Sequence, residues 1–262
     1  MQTKQVDHLM IENRNGVLYV TLHRPERLNA FSPEMITGLI EVIAQAKKQE
    51  DIRVVVIKGS GRAFCAGGDV KRMGERTSLE TYEHLGNFNE LIFAMKELEK
   101  PIVAAVHGYA AGAGFNLALA CDMILASADS QFIISFSKVG LISDGGGLYF
   151  LSKLIGSYRA KEVFFKAEPI TAEEGYTLGF VNHIYPEEEF EEKVDTFVTD
   201  LASGPAVVFG FIKRLVDQSL HSNLADILEQ ERITQATLIT TEDHVEGIQA
   251  FKEKRKPIFK GK

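Results

Sequence analysis

PIVAAVHGYAAGAGFNLALACD, residues 101–122, is the stretch on which the reading of this chain turns. Behind Pro101, Ile102 to Val106 form a short run of small apolar residues, the mark of a buried strand. His107 to Ala113 continue as a loop of small residues with Gly108, Gly112 and then Gly114 as punctuation, and Phe115 to Ala120 reads as a helix. A strand, a glycine-rich turn and a helix N-terminus together present backbone N–H groups that have no intrahelical partner. Such a turn can hold a phosphate or polarise a carbonyl. It lacks the Lys-Ser/Thr ending of a P-loop and is not GxGxxG, so the nucleotide-loop readings fail. A plainer reading stands beside the functional one: small residues let a strand and a helix pack closely.

The rest of the chain sets the frame. Its 262 residues are 45% hydrophobic and 25% charged, enough for a sizeable core. The net charge of −7 gives no general case for nucleic acid. Lys and Arg gather in KEKRKPIFKGK from Lys252, which by itself reads as a solvated tail. Cys65 and Cys121 form neither CxxC nor a metal spacing and are expected to be free, buried thiols of a reducing compartment. MQTKQVDHLM resembles neither a signal peptide nor an Arg-rich presequence, and no apolar run approaches a membrane span, so a soluble cytoplasmic protein without membrane contact is expected.

Along the chain, Val17–His23 alternates as a strand, Ser32-Pro33-Glu34 caps a helix over Met35–Lys48, and Arg53–Lys58 is a buried strand. RAFCAGGD (62–69) is a second small-residue loop, followed by a short helical piece over Val70–Met73 and a long helix over Leu79–Leu98. Beyond the opening stretch come short strands over Met123–Ala126 and Gln131–Ile134, the turn GLISDGGG (140–147) and a helix over Leu148–Leu154. Thr171 caps a short helix ending near Gly179, Val181–Tyr185 is a last strand, and Pro186 starts an acidic helix. After Pro205 three helical runs, about 206–220, 223–240 and 242–255, close the chain. The layout predicts an α/β protein of repeated strand–strand–helix turns over residues 1–200 and a helical region over 201–262, packed on the core or on another subunit.

CAGGD at 65–69 and AAGAGF at 110–115 share one character: each can offer a free backbone N–H, and two such donors converging on one oxygen make an oxyanion hole. With HRPERLNAFSPEM (23–35), GSGRAFCAGGDVKRM (59–73), KPIVAAVHGYAAGAGFNLALACDMILAS (100–127), FIISFSKVGLISDGGGLYFLSKLIG (132–156) and FKEKRKPIF (251–259), the chain resembles the crotonase, or enoyl-CoA hydratase/isomerase, superfamily over essentially its whole length. The resemblance implies a ββα spiral with a C-terminal helical region that builds trimers, often paired into hexamers. It puts the thioester-polarising donors on Gly68 and Ala113. It implies CoA or substrate contacts at Arg24, Ala66, Lys71, Asn116 and Phe136, and at Phe251 and Lys254 from a neighbouring subunit. Glu26 stands where many hydratases carry a basic residue.

The two glutamates of typical hydratases are replaced, by Asn116 and Phe136, and an aspartate, Asp144, stands in ISDGGG. The combination most resembles the ring-1,2-epoxyphenylacetyl-CoA isomerase and enoyl-CoA isomerase subgroup, and implies that Asp144 is the acid/base. On its residues alone Asp144 reads equally as an N-cap before Leu148 or a turn former beside three glycines. The leading expectation is an isomerase that acts on an acyl-CoA thioester, with coenzyme A as part of the substrate and neither cofactor nor metal. A 2-enoyl-CoA hydratase of fatty-acid or aromatic-acid degradation and a non-catalytic acyl-CoA-binding subunit are the alternatives. An aryl-CoA dehalogenase fits poorly, since Asn89 and Phe136 stand where that chemistry uses His and Trp. Phe88, Ile92, Phe136 and Tyr149 are expected to line the acyl pocket, with a fatty and an aryl chain fitting equally. His107, Asp69 and Asp122 read as structural: a turn residue, a helix cap and a loop anchor.

Overall fold

The computed structural model describes residues 4–68 and 77–262. The chain begins as an antiparallel meander, Lys4–Val6 (β1), Leu9–Arg14 (β2) and Val17–Leu22 (β3), followed by the helix Pro33–Lys48 (α1). A strand–strand–helix unit then occurs three times: Val54–Gly59 (β4), Ala63–Cys65 (β5) and Ser78–Glu97 (α2); Ile102–Val106 (β6), Tyr109–Ala111 (β7) and Ala113–Ala120 (α3); Met123–Ser127 (β8), Gln131–Ile133 (β9) and Gly147–Ile155 (α4). Next come Ser157–Lys166 (α5), Ile170–Thr171 (β10), Ala172–Leu178 (α6), His183–Tyr185 (β11) and Phe190–Ala202 (α7). Ala206–Ser219 (α8), Leu224–Leu238 (α9) and Glu242–Glu253 (α10) end the chain. The first strand of each unit joins a seven-stranded sheet, β1-β2-β3-β4-β6-β8-β11, and the second joins a four-stranded sheet, β10-β9-β7-β5. This is the ββα spiral that the resemblance implied.

Side-chain alternation explains why RVVVIK reads as unbroken apolar sequence. Val54, Val56, Val103, Ala105 and Leu125 face Phe190, Val194 and Val198 of α7. Val55, Ile57, Ile102, Ala104 and Val106 point the other way, into the larger core with Met35, Leu39, Leu91 and Phe115. A parallel sheet covered on both faces has no polar side to show.

The helix starts follow their caps. Ser32 Oγ accepts from the Met35 N–H at 3.2 Å, with Pro33 at the first helical position. Thr77 with Glu80 and Thr171 with Glu174 each form a reciprocal capping box at α2 and α6.

Several boundaries differ from expectation, each for a physical reason. β1 and β2 went unforeseen because only Leu9 of Leu9–Arg14 is buried, so the strand shows little alternation. β5 and β7 lie inside stretches that read as loops; three residues are too few for a period, and backbone pairing alone defines them. α3 begins at Ala113, two residues early, because Gly112 at φ 53° turns the chain directly into the helix. β11 starts only at His183, since the Phe180 and Val181 N–H groups both fold back to the Gly175 carbonyl. The short helix expected over Val70–Met73 and the cap expected at Asp69 lie outside the described residues.

α8 rests on the core through its two buried positions, Gly210 and Lys213. A Cβ on Gly210 would stand 2.5 Å from the Glu99 carbonyl oxygen, so the helix lies directly on the chain entering β6. Val207, Ile212, Val216 and Leu220 of this helix segment and Leu224 and Leu228 of α9 remain exposed. Among the described residues, no helix is long and apolar enough to cross a membrane.

Candidate active site

The loop with Gly68 is held by its neighbours' backbone. Asn29, fully buried with φ 56°, donates from Nδ2 to the Ser60 and Ala63 carbonyls at 2.8 and 2.7 Å. Its Oδ1 accepts from the Arg24 N–H at 2.9 Å, and its carbonyl accepts from Cys65 Sγ at 3.1 Å. The Ala66 N–H then donates to Leu28 O at 2.9 Å, and the Phe31 N–H donates to Gly67 O at 2.8 Å. These bonds bridge Phe31 with Gly68. Among the described residues the Gly68 N–H has no acceptor. Burial pushes the Cys65 thiol up to about 12, so it is an inert packing group.

The second donor lies against the first loop. Ala113 opens α3, and its N–H, at the first helical position, has no acceptor among the described residues. Gly67 has φ 84°, and a Cβ there would lie 2.4 Å from Ala111 O and 3.0 Å from Ala113 N. Gly114 is equally close to β5, 2.4 Å from Cys65 O by the same measure. Glycine at both places lets the two turns meet, which brings Gly68 and Ala113 to one location. The helix dipole adds partial positive charge there. The packing reading of the opening stretch holds, and the same close approach sets the Gly67–Gly68 turn against the Ala113 N–H.

Asn116 ties the acidic turn to the first turn of α3. Fully buried, it donates from Nδ2 to Asp144 O at 2.9 Å and Ser143 Oγ at 3.0 Å, with Asp144 Oδ1 at 3.5 Å. Asn116 Oδ1 is buried without a partner among the described residues. Asp144 is half-buried. Burial raises its carboxyl above the ordinary aspartate range, and the Asn116 bond and its own backbone N–H pull it partly back. The side chain does not cap α4: the residue before that helix is Gly146, without a side-chain cap, while Asp144 contributes its carbonyl, which accepts from the Gly147 N–H at 3.0 Å. Of the two plain readings, the N-cap fails and the turn holds.

Three glycines make this turn possible. A Cβ on Gly145 would stand 2.2 Å from Phe88 Cε1, one on Gly146 2.6 Å from Phe150 Cε2, and one on Gly147 2.2 Å from Asn116 Oδ1. Phe136 is buried and its ring edge comes within 3.7 Å of the Cβ position of Gly112. It thus walls the turn that leads into α3.

Of the expected site residues, Gly68, Ala66, Ala113, Asn116, Phe136 and Asp144 gather around α3's first turn. Arg24 lies beside them, its guanidinium donating to Ala30 O at 2.7 Å. Phe251 and Lys254 stand apart on exposed surface at the end of α10, with no hydrogen bond or ion pair to the donor loops among the described residues. Lys71 lies outside the described residues. Two residues of this neighbourhood escaped the sequence reading. Ser143 sits in a loop as an ordinary polar residue, and only the fold reveals it buried on Asn116. Asn29 had a faint signal, an Asn inside the quoted LNAF segment. His107 matches its structural reading: its Nε2 lies 2.9 Å from Gly61 O and its ring packs near Phe190.

A ββα spiral with two glycine-set donor turns at one helix N-terminus defines a crotonase-class enzyme. The chain belongs to the enoyl-CoA hydratase/isomerase family, whose profile matches residues 12–262, and that family acts on CoA thioesters. It is 33% identical to the 1,2-epoxyphenylacetyl-CoA isomerase of Escherichia coli (strain K12), over 98% of this chain and 100% of that protein. It is 34% identical to the trans-2-decenoyl-[acyl-carrier-protein] isomerase of Streptococcus mutans, over 95% of this chain and 96% of that one. Among solved structures, that of a putative enoyl-CoA hydratase from Streptomyces coelicolor A3(2) superposes with a TM-score of 0.94 at 33% identity, covering 100% of this chain and 97% of that one.

Proposed function

We propose that the protein isomerises acyl-CoA thioesters, with Asp144 as the proton shuttle and the Gly68 and Ala113 N–H groups holding the thioester oxygen. The observation that carries the reading is the Asn116–Asp144 contact: it anchors one half-buried carboxylate beside the donor turn, while Asn116 and Phe136 fill the places of the hydratase glutamate pair. In a 3-enoyl thioester, the Asp144 carboxylate takes a proton from the α-carbon. The electron pair delocalises to the thioester oxygen as a dienolate, and the protonated Asp144 returns the proton at the γ-carbon. The product is the 2-enoyl thioester, and the carboxylate is regenerated. One carboxylate suffices for such a shuttle, whereas hydration needs a positioned water and a matched acid. Ring rearrangement of an epoxyphenylacetyl thioester draws on the same donors. The isomerases of Escherichia coli and Streptococcus mutans support this class of reaction. Coenzyme A is part of the substrate, no resident cofactor or metal is required, and the work is cytoplasmic. The test is a paired assay: conversion of a 3-enoyl-CoA to the 2-enoyl isomer, and loss of enone absorbance from crotonyl-CoA. Isomerisation should be the faster. Faster hydration would establish the hydratase, and tight binding of acyl-CoA without turnover of any enoyl or epoxide thioester would establish a non-catalytic binding subunit.

The same reading includes a homotrimer, or a dimer of trimers, assembled through the helices after Pro205. The apolar side chains left exposed on α8 and α9 support it, as does the exposure of Phe251 and Lys254, which suits contact with adenosine phosphates held by another protomer. Truncating the tail would not isolate this role. Asp243 accepts from the Lys260 and Gly261 N–H groups at 2.6 and 2.9 Å, and Arg53 donates to Phe259 O at 3.0 Å, so the last residues also hold their own chain together. Lys254→Ala should instead raise KM for acyl-CoA with kcat nearly unchanged, and the difference should shrink as salt rises. A monomer in light scattering, with KM unaltered by Lys254→Ala, would overturn the assembly.

A further inference from the structure

Behind the acidic turn lies a cavity of about 790 Å³ that the reacting groups do not use. Its walls include Asn89, Ile92 and Phe93 of α2, Gly146 of the acidic turn, and Tyr149 and Phe150 of α4. Two observations join it to the reaction site. Gly146 is two residues from Asp144 and lines the cavity. Phe88, next to Asn89 on α2, packs against Gly145, so the backbone between carboxylate and cavity carries no Cβ. The cavity's length follows from α2: Asn89 to Lys96 spans two turns, about 10 Å.

Its far end is charged but balanced. Lys96 Nζ is 3.0 Å from Asp217 Oδ2, and Lys213 Nζ is 2.9 Å from Asp122 Oδ2. Lys96 and Lys213 therefore offer no surplus charge to a carboxylate or phosphate. Lys47, Glu97, Glu99 and Arg214 stand at the rim, exposed to water.

We infer that this cavity receives the acyl chain beyond the reacting carbons, and that the substrates are thioesters of extended aliphatic acids rather than of short or compact aryl acids. The inference rests on the acyl-thioester reading above and settles which of the two chain types that reading leaves open. A channel of about 10 Å accommodates about eight methylenes of an extended zigzag chain, which advances about 1.25 Å per C–C bond. A flat aryl ring would leave most of the length empty. The paired charges end the apolar path, so longer chains gain nothing further.

The test is equilibrium binding of saturated, unreactive acyl-CoA compounds to the intact protein, alongside coenzyme A and phenylacetyl-CoA. Affinity should rise by about two- to fourfold per methylene, so over the eight methylenes between them dodecanoyl-CoA binds at least about 250-fold more tightly than butyryl-CoA. Hexadecanoyl-CoA should be within about twofold of dodecanoyl-CoA, and phenylacetyl-CoA should lie near butyryl-CoA. Asn89 and Phe93 are exposed, so Asn89→Trp and Phe93→Asp alter the channel without disturbing the core. Each should reduce the dodecanoyl-to-butyryl ratio to less than about fivefold, with circular dichroism and melting unchanged. A flat chain-length series in the wild type, phenylacetyl-CoA binding as tightly as dodecanoyl-CoA, or an undiminished ratio in both folded variants overturns the inference while leaving the thioester reading intact. If no acyl-CoA of any length binds more tightly than coenzyme A itself, the thioester reading fails instead.

Discussion

Asp144→Asn should lower kcat/KM for 3-enoyl-CoA isomerisation by about 10²–10⁴, the range of a positioned acid/base, while acyl-CoA binding stays within a few-fold. The amide keeps the size of the carboxylate but cannot take the α-proton, and the donors at Gly68 and Ala113 are untouched. The pH profile supplies a second readout. Since burial raises the Asp144 carboxyl, the acid limb of the wild-type kcat/KM should lie above the ordinary aspartate value. Stability runs the opposite way. A carboxyl whose folded pKa exceeds its unfolded one favours the folded state when protonated; that contribution is lost as pH rises from the unfolded value through the folded one. At neutral pH the Asn variant should therefore melt no lower than the wild type, and the two should converge in acid. Unchanged isomerisation in a folded Asp144→Asn protein would remove this residue from the mechanism.

How much of this was legible differs from element to element. The stretch 101–122 declares itself because a buried strand, a small-residue turn and a helix each leave a local signature, and Gly112 and Gly114 occur where backbones touch. Asp144 stands out as an acid beside three glycines, yet its environment does not: Asn116 and Ser143 meet it only through the packing of α4's entry on α3. β5 and β7 leave no signature, since three residues paired by backbone impose no pattern on side chains. α8 shows the same limit. Its sequence AVVFGFIKRLVDQS reads as a helix, with nothing in it to mark Lys213 as one of its two buried residues. Its partner there is Asp122, read from sequence as a loop anchor and distant from Lys213 along the chain.

Asp122→Ala should be the most destabilising single change outside the hydrophobic core, at about 3–5 kcal/mol, the usual cost of removing one partner of a buried ion pair. Asp122 Oδ2 accepts the Ile102 N–H at 2.8 Å and pairs with Lys213 at 2.9 Å, while Oδ1 lies 3.5 Å from Lys96. Lys213 also donates to Met95 O at 2.8 Å, so this one cluster ties α8 to the C-terminus of α2 and the start of β6. Burial, outweighing Asp122, lowers Lys213 below the ordinary lysine range; for Lys96 burial is again the largest single influence, but Asp122 and Asp217 together leave it raised. Lys213 is thus the member with most to lose when its partner goes. With the carboxylate gone, its ammonium must either stay unpaired or give up its proton, and α8 should swing off the core. Lys213→Met removes the charge itself and should cost less. In the double variant Lys213→Met should recover much of the Asp122→Ala loss, giving a coupling of about 1–3 kcal/mol by double-mutant cycle. Thermal melts of the four proteins measure it. Additive losses would mean that the pair is incidental, and that α8 is held by the contact of Gly210 with the chain entering β6.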